Sequence, residues 1–151
     1  MEFTFVDNKW IEWKINLNDI LDWNDYVVLY FYPKDNTSWC SLEAKEFSDL
    51  SQDFFDLGTN IVWVSKDSVK SHCNFINKIW IKFWLIVDNE QILHNKFSVI
   101  WEKSMYGKKY MWTVRSTFVL DRSLNIIKEW RNVKATWHAK DVLNFIKSLK
   151  K

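Results

Sequence analysis

Cys40 and Cys73 are the two cysteines of this 151-residue chain, and an ionised cysteine is the strongest nucleophile among ordinary side chains at neutral pH. Position 43 is Glu, so no C-x-x-C pair exists at Cys40, and dithiol exchange through that motif is excluded. Two cysteines make no disulfide framework for a chain this long; in a reducing setting they serve redox chemistry or core packing. His72, His94 and His138 are scattered and match no metal-ligand spacing, so neither a metal nor a cofactor is expected. No motif places a histidine for Cys–His hydrolysis either. The chemistry therefore concentrates on a lone thiol, Cys40.

The stretch around it, VVLYFYPKDNTSWCSLEAKEFSDL (27–50), states how that thiol is held. Val27 to Tyr32 is an apolar and aromatic run of the length of one buried strand. Pro33, the chain's one proline, ends it, and a polar loop from Lys34 to Ser38 follows. Cys40 then opens a helical pattern carried by Ala44, Phe47, Leu50 and Phe54 and running to about Phe55. At a helix start, peptide dipoles and unpaired N–H groups favour a thiolate over a thiol.

Around this unit the chain reads as one domain, 1–151. Phe3–Val6 and Glu12–Leu17 are short strands, and Asn18–Leu21 is one helical turn. Asn60–Ser65 is a second apolar strand, followed by a helix capped at Asp67 or Ser68 and running to about Ile79. On it Val69, Cys73, Ile76 and Trp80 form one apolar stripe. Phe83–Val87 is a third strand, Gln91–Val99 a short helix, and Ile100–Trp112 an irregular basic stretch with Gly107 in a turn. Ser116–Leu120 and Asn125–Trp130 form a hairpin, and His138–Leu149 is an amphipathic helix. The order implies an α/β domain, a central mixed sheet flanked by helices. That outline fits a thioredoxin-like fold with extra N-terminal strands.

Hydrophobic residues make up 48% of the chain and charged ones 26%, with a net charge of +2, an ordinary globular balance. The cations are interleaved with acids, and the aromatics do not alternate with them, so neither nucleic acid nor membrane is an expected partner. The opening MEFTFVDNKW lacks the layout of a secretory signal, and a cytoplasmic location is expected. One count is abnormal: 11 Trp against 2 Gly, where average usage of roughly 7% would give about ten glycines.

Pro33, Thr37 and Cys40 spell P-x-x-x-T-x-x-C, which resembles the active-site motif of peroxiredoxins. The longer FYPKDNTSWCSLEA is similar to the bacterioferritin comigratory protein subfamily of thiol peroxidases. The resemblance continues through VWVSKDSVKSH (62–72), EKSMYGKKYM (102–111), VRSTFVLD (114–121) and WRNVKATWHA (130–139). It implies a peroxidase that reduces hydrogen peroxide and alkyl hydroperoxides, with Cys40 as the nucleophile passing through a sulfenic acid. It further implies that Arg115 supplies the guanidinium beside the thiolate, that Thr37 brings its hydroxyl to the peroxide, and that the Pro33 ring shields the sulfur. Glu43 matches the family pattern as a supporting acid, read as lying in the first helical turn. Position 45, where many relatives carry a resolving cysteine, is Lys. Cys73 is then either the resolver, closing a disulfide that thioredoxin reduces, or a filler of its apolar stripe, leaving an external small thiol to do the work. A monomer or weak homodimer is expected.

Against the same pattern, tryptophans stand at glycine positions: Trp39 before the cysteine, Trp63 in V-G-V-S, Trp112 in M-G-x-V-R and Trp137 in K-G-H. Trp10, Trp23, Trp80 and Trp101 also fall at or near family glycines. UGA codons read as glycine in the source and translated here as tryptophan account for this; UGG at those positions in the gene would overturn the explanation. Taken as they stand, these residues imply strained backbone, crowded core and a hindered Cys40. The rival reading follows from that: a thioredoxin-fold protein impaired by Trp39 that keeps a binding or structural role.

Overall fold

The computed structural model describes residues 2–7, 12–21, 24–133 and 138–150. A seven-stranded mixed sheet is its centre. In chain order the strands are β1 (Glu2–Val6), β2 (Glu12–Asn16), β3 (Tyr26–Phe31), β4 (Thr59–Ser65), β5 (Trp84–Val87), then β8 (Ser116–Leu120) and β9 (Ile126–Arg131). They lie side by side as β2-β1-β5-β4-β3-β8-β9. The pairs β3–β4 and β4–β5 are parallel, and the remaining neighbours are antiparallel. β3 and β4 therefore sit in the middle, and both are buried along their whole length but for Tyr26. Strands covered on two faces need continuous apolar sequence, which is why Val27–Tyr32 and Asn60–Ser65 read as runs.

Alternation along β3 divides the core in two. Val28 and Tyr30, with Tyr32 beyond the strand, pack with Trp63 against α2 (Ser38–Asp49), α3 (Ser51–Asp56), α4 (Val69–Ile79) and α6 (His138–Leu149), through Ala44, Phe47, Phe54, Phe75 and Val142. Val27, Leu29 and Phe31 face Leu93, Phe97 and Phe118 on the other side. That second face is covered by α1 (Leu17–Leu21) and α5 (Ile92–Lys96). Among the described residues no helix is long and apolar enough to cross a membrane.

Four details differ from expectation. The helix that starts ahead of Cys40 is interrupted at Leu50, which leaves helical geometry (φ −97°, ψ 1°) between α2 and α3. There the Ser51 hydroxyl donates to the Ser48 carbonyl at 2.7 Å, a local side-chain bond of the kind that competes with a continuous ladder. Residues 100–112 are not irregular but form a hairpin, β6 (Ile100–Met105) and β7 (Lys108–Thr113), separate from the main sheet. Tyr106 and Gly107 turn it with left-handed φ of 52° and 76°, the geometry of a tight two-residue hairpin turn. The short helix at Gln91–Val99 contracts to Ile92–Lys96. Trp80 does not continue the α4 stripe: it is the C-cap, left-handed at φ 62°, and 82% exposed. The other end of α4 is capped by Ser68, whose hydroxyl accepts from the Ser71 N–H at 3.2 Å.

Trp10, Trp23 and Trp137 lie outside the described residues. Of the described tryptophans at family glycine positions, Trp80 alone has a left-handed backbone. Trp63 is accommodated within β4, stacked on Tyr30 with ring centroids 4.3 Å apart, though its indole N–H meets no acceptor.

Candidate active site

Cys40 is the third residue of α2, after the N-cap Thr37, and is fully buried. The first intrahelical bond runs from the Ser41 N–H to the Thr37 carbonyl at 2.8 Å. The N–H groups of residues 38–40 therefore lie outside the ladder and face the region of the thiol. Thr37 is extended (φ −83°, ψ 154°), as an N-cap should be, but its side chain makes no capping bond. Its hydroxyl donates instead to the Lys34 carbonyl at 3.2 Å, which closes the loop upon itself. Pro33 is half-buried one residue past Tyr32, at the C-terminal end of β3.

β8 brings in the guanidinium. Ser116 pairs with Phe31 across the sheet, so Arg115, the preceding residue, arrives beside the end of β3 and the start of α2. Its carbonyl accepts from the Val133 N–H at 2.8 Å, while Nη1 is buried without a hydrogen-bond partner. The Tyr30 hydroxyl is another buried donor with no partner. Burial first, then the Glu43 carboxylate, pushes the Tyr30 phenol far above its ordinary value; Arg115 opposes them and Cys40 adds to them. One charge-coupled group thus contains Cys40, Tyr30, Glu43 and Arg115. Glu43 sits one turn after Cys40, in the second turn of α2 rather than the first, and it is buried with both oxygens unpartnered. Its pKa is raised from the ordinary 4.5 to about 7, chiefly by burial and then by Glu46, with Arg115 pulling it down.

Above this group opens a cleft of about 560 Å³ lined by Trp39, Trp101, Glu102, Trp112, Val114, Arg115, Asn132 and Val133. The β6–β7 hairpin forms one wall and Trp39 another, with Arg115 reaching in. A buried thiol, idle N–H groups and a free guanidinium nitrogen are together suited to receiving a small molecule whose oxygen gains negative charge during reaction. Tyr30 was not singled out by sequence reasoning. Its only signal is a hydroxylated aromatic within an otherwise apolar strand.

Cys73 stands elsewhere. It is half-buried on α4, and its thiol is pushed up by burial and then by Glu12 and Asp7 at the β1–β2 edge. Both cysteines are free. The three histidines are buried and separately engaged, His72 with Asp35, His94 with Asp88 and His138 with Thr117.

The AhpC/TSA family model matches residues 2–129. The chain belongs to the AhpC/TSA family. It is 43% identical over 123 residues to peroxiredoxin Bcp of Xanthomonas campestris, covering 82% of this chain and 77% of that one. The Bacillus subtilis peroxiredoxin Bcp is likewise 43% identical over 124 residues, covering 82% and 79%. Among solved structures, Xanthomonas campestris peroxiredoxin Q superposes with a TM-score of 0.91 at 36% identity, over 100% of this chain and 92% of that one. A second structure with the same TM-score, identity and coverage is the bacterioferritin comigratory protein of Xanthomonas campestris, described for its alkyl peroxide reduction activity. These likenesses place the chain in the bacterioferritin comigratory protein subfamily, with the thioredoxin-like fold and the thiol peroxidase chemistry of peroxiredoxins. The non-catalytic alternative is not favoured.

Proposed function

We propose that Cys40 is the peroxidatic residue of a thiol peroxidase acting on hydrogen peroxide and alkyl hydroperoxides. The observation that carries this is the meeting of a buried thiol at a helix start with an unpartnered Arg115 nitrogen at the foot of an open cleft. The Cys40 thiolate attacks the terminal oxygen of the hydroperoxide, an S–O bond forms and the O–O bond breaks. Sulfur is oxidised to the sulfenic acid, and the leaving alkoxide, or hydroxide, takes a proton to become an alcohol or water. Arg115 and the first N–H groups of α2 hold the charge that develops on the oxygens. Thr37 caps the start of α2, and its hydroxyl turns from Lys34 to the peroxide when substrate enters. Pro33 keeps water from the sulfur.

Cys73 is the candidate resolver. Its raised pKa makes it a poor attacker where it sits, so it acts only after α4 moves and frees it from burial, Glu12 and Asp7. Its thiolate then displaces hydroxide from the Cys40 sulfenic acid, giving a disulfide for thioredoxin or a small thiol to reduce. The protein works as a monomer or weak homodimer in the cytoplasm. Peroxide treatment followed by peptide mass mapping tests the reading. A Cys40–Cys73 disulfide is the expected product, a sulfinate on Cys40 alone assigns resolution to an external thiol, and an unmodified Cys40 overturns the peroxidatic assignment.

A further inference from the structure

The loop that carries Pro33 and Thr37 is anchored from within by a residue that never reaches the cleft. Asp35 is 4% exposed. One carboxylate oxygen accepts from the Tyr32 hydroxyl at 2.5 Å. The other accepts from the Ser71 hydroxyl at 2.8 Å and from His72 Nδ1 at 2.7 Å, both on α4. The Asp35 N–H donates to Asp67 at 2.7 Å, and Asp67 also accepts from the Ser65 hydroxyl at 2.9 Å. The fully buried His72 ring is held at its other end by the Ile86 carbonyl of β5, 2.9 Å from Nε2. Both ring nitrogens are thus engaged, one by the Asp35 carboxyl group and one by a backbone carbonyl, which fixes the ring in place.

This network is saturated: Asp35 has three side-chain partners and both nitrogens of His72 are engaged. A buried polar network that lost one member would leave its partners unsatisfied, which is far more costly than losing an exposed hydrogen bond. The network therefore fixes Asp35 relative to β4, β5 and α4 together. Asp35 lies two residues after Pro33 and two before Thr37, and its neighbour Asn36 is held left-handed at φ 61°. We infer that Asp35 and His72 are positioning residues for peroxide reduction: they set where Pro33, Thr37 and the first turn of α2 stand relative to Arg115. Neither touches the substrate. The inference rests on Cys40 being the peroxidatic residue.

The test compares two reactions of the same thiol in the parent, Asp35→Ala and Asp35→Asn. One is oxidation of Cys40 by hydrogen peroxide; the other is alkylation by iodoacetamide, which reads the thiol without needing oxygen-binding groups in register. Displacing catalytic groups by about 1 Å costs on the order of 10²-fold, so Asp35→Ala should slow oxidation by about that factor while alkylation stays within about twofold. Asp35→Asn, which keeps one oxygen for Tyr32, should recover part of the loss. Where Asp35→Ala does not fold, Ser71→Ala removes a single donor and should lower the oxidation-to-alkylation ratio to a smaller extent. A ratio unchanged in every folded variant overturns the positioning role, whatever happens to the melting temperature. A parent in which Cys40 is oxidised no faster than Cys73 overturns the peroxidatic reading instead, and the positioning role with it.

Discussion

Glu43→Gln is the substitution with the largest consequence that can be worked from the structure. The carboxyl is fully buried without hydrogen bonds, and its pKa stands at about 7 in place of the ordinary 4.5. The folded chain binds this proton more tightly than the unfolded chain does. Its contribution is therefore intact below pH 4.5 and is lost as pH rises through about 7. At 1.36 kcal/mol for each tenfold in proton affinity, that interval amounts to about 3 kcal/mol. Gln cannot ionise and escapes the loss. Guanidinium unfolding of parent and variant at about pH 5 and about pH 8.5 reads the effect. The gap between them should move in favour of Gln by about 2.5 kcal/mol on going to the higher pH, since pH 5 already lies a little above 4.5. Any fixed cost of burying an unpaired amide is common to both conditions and cancels. Ionised Glu43 also draws on Arg115, so the parent's peroxide rate should bend near pH 7 where the variant's does not. A stability gap that is the same at both pH values refutes the account of Glu43.

His138 has the opposite sign. Burial lowers its pKa from 6.5 to about 4, opposed by Asp141, so its contribution is present above 6.5 and lost as pH falls toward 4; His138→Gln should flatten that acid limb by about 3 kcal/mol in the same titration. Arg115→Met should slow Cys40 oxidation by about 10²–10³-fold, the usual cost of removing one donor from a developing oxyanion, while near-parental circular dichroism shows the chain still folded; a rate within twofold of parent contradicts its role. Trp80→Gly should raise the melting temperature, because a left-handed C-cap costs a residue with a β-carbon about 1–2 kcal/mol and this side chain is exposed. Trp39→Gly should raise the peroxidase rate by opening the cleft wall nearest Cys40, and equal rates would show that Trp39 does not hinder access.

Much of this was legible because local pattern and global fold agree. The runs at 27–32 and 60–65 read as buried strands for the reason that β3 and β4 are covered on both faces. The Pro33–Thr37–Cys40 spacing pointed to the candidate site because one strand end and one helix start are local features that a short motif can encode. The hairpin at Ile100–Thr113 was not legible: most of its residues are exposed on both faces, so it carries no core-facing alternation to detect. Tyr30, Asp35 and His72 were missed for a related reason. Their roles depend on which elements the sheet order brings together, 36 and 37 residues apart in the chain for the Asp35 contacts to Ser71 and His72, and no short motif encodes that.

The two cysteines differ in placement, and the proposed roles follow from that difference. Cys40 is at a helix start and shares with Arg115 the neighbourhood of Tyr30; Cys73 is mid-helix, and the charges that act on it are the carboxylates of Glu12 and Asp7. Those carboxylates belong to the β1–β2 edge of the sheet, whereas Arg115 precedes β8, and β5, β4 and β3 lie between. Both cysteines nonetheless belong to one core cluster, Cys40 within it and Cys73 packed against it. In the proposed resolution step Cys73 leaves the carboxylates of Glu12 and Asp7 to reach Cys40. His72 immediately precedes Cys73, so its buried hydrogen bond with Asp35 must break whenever that segment of α4 unwinds. On the proposed mechanism, the network that positions the loop for peroxide also resists the unwinding of α4 that would free Cys73.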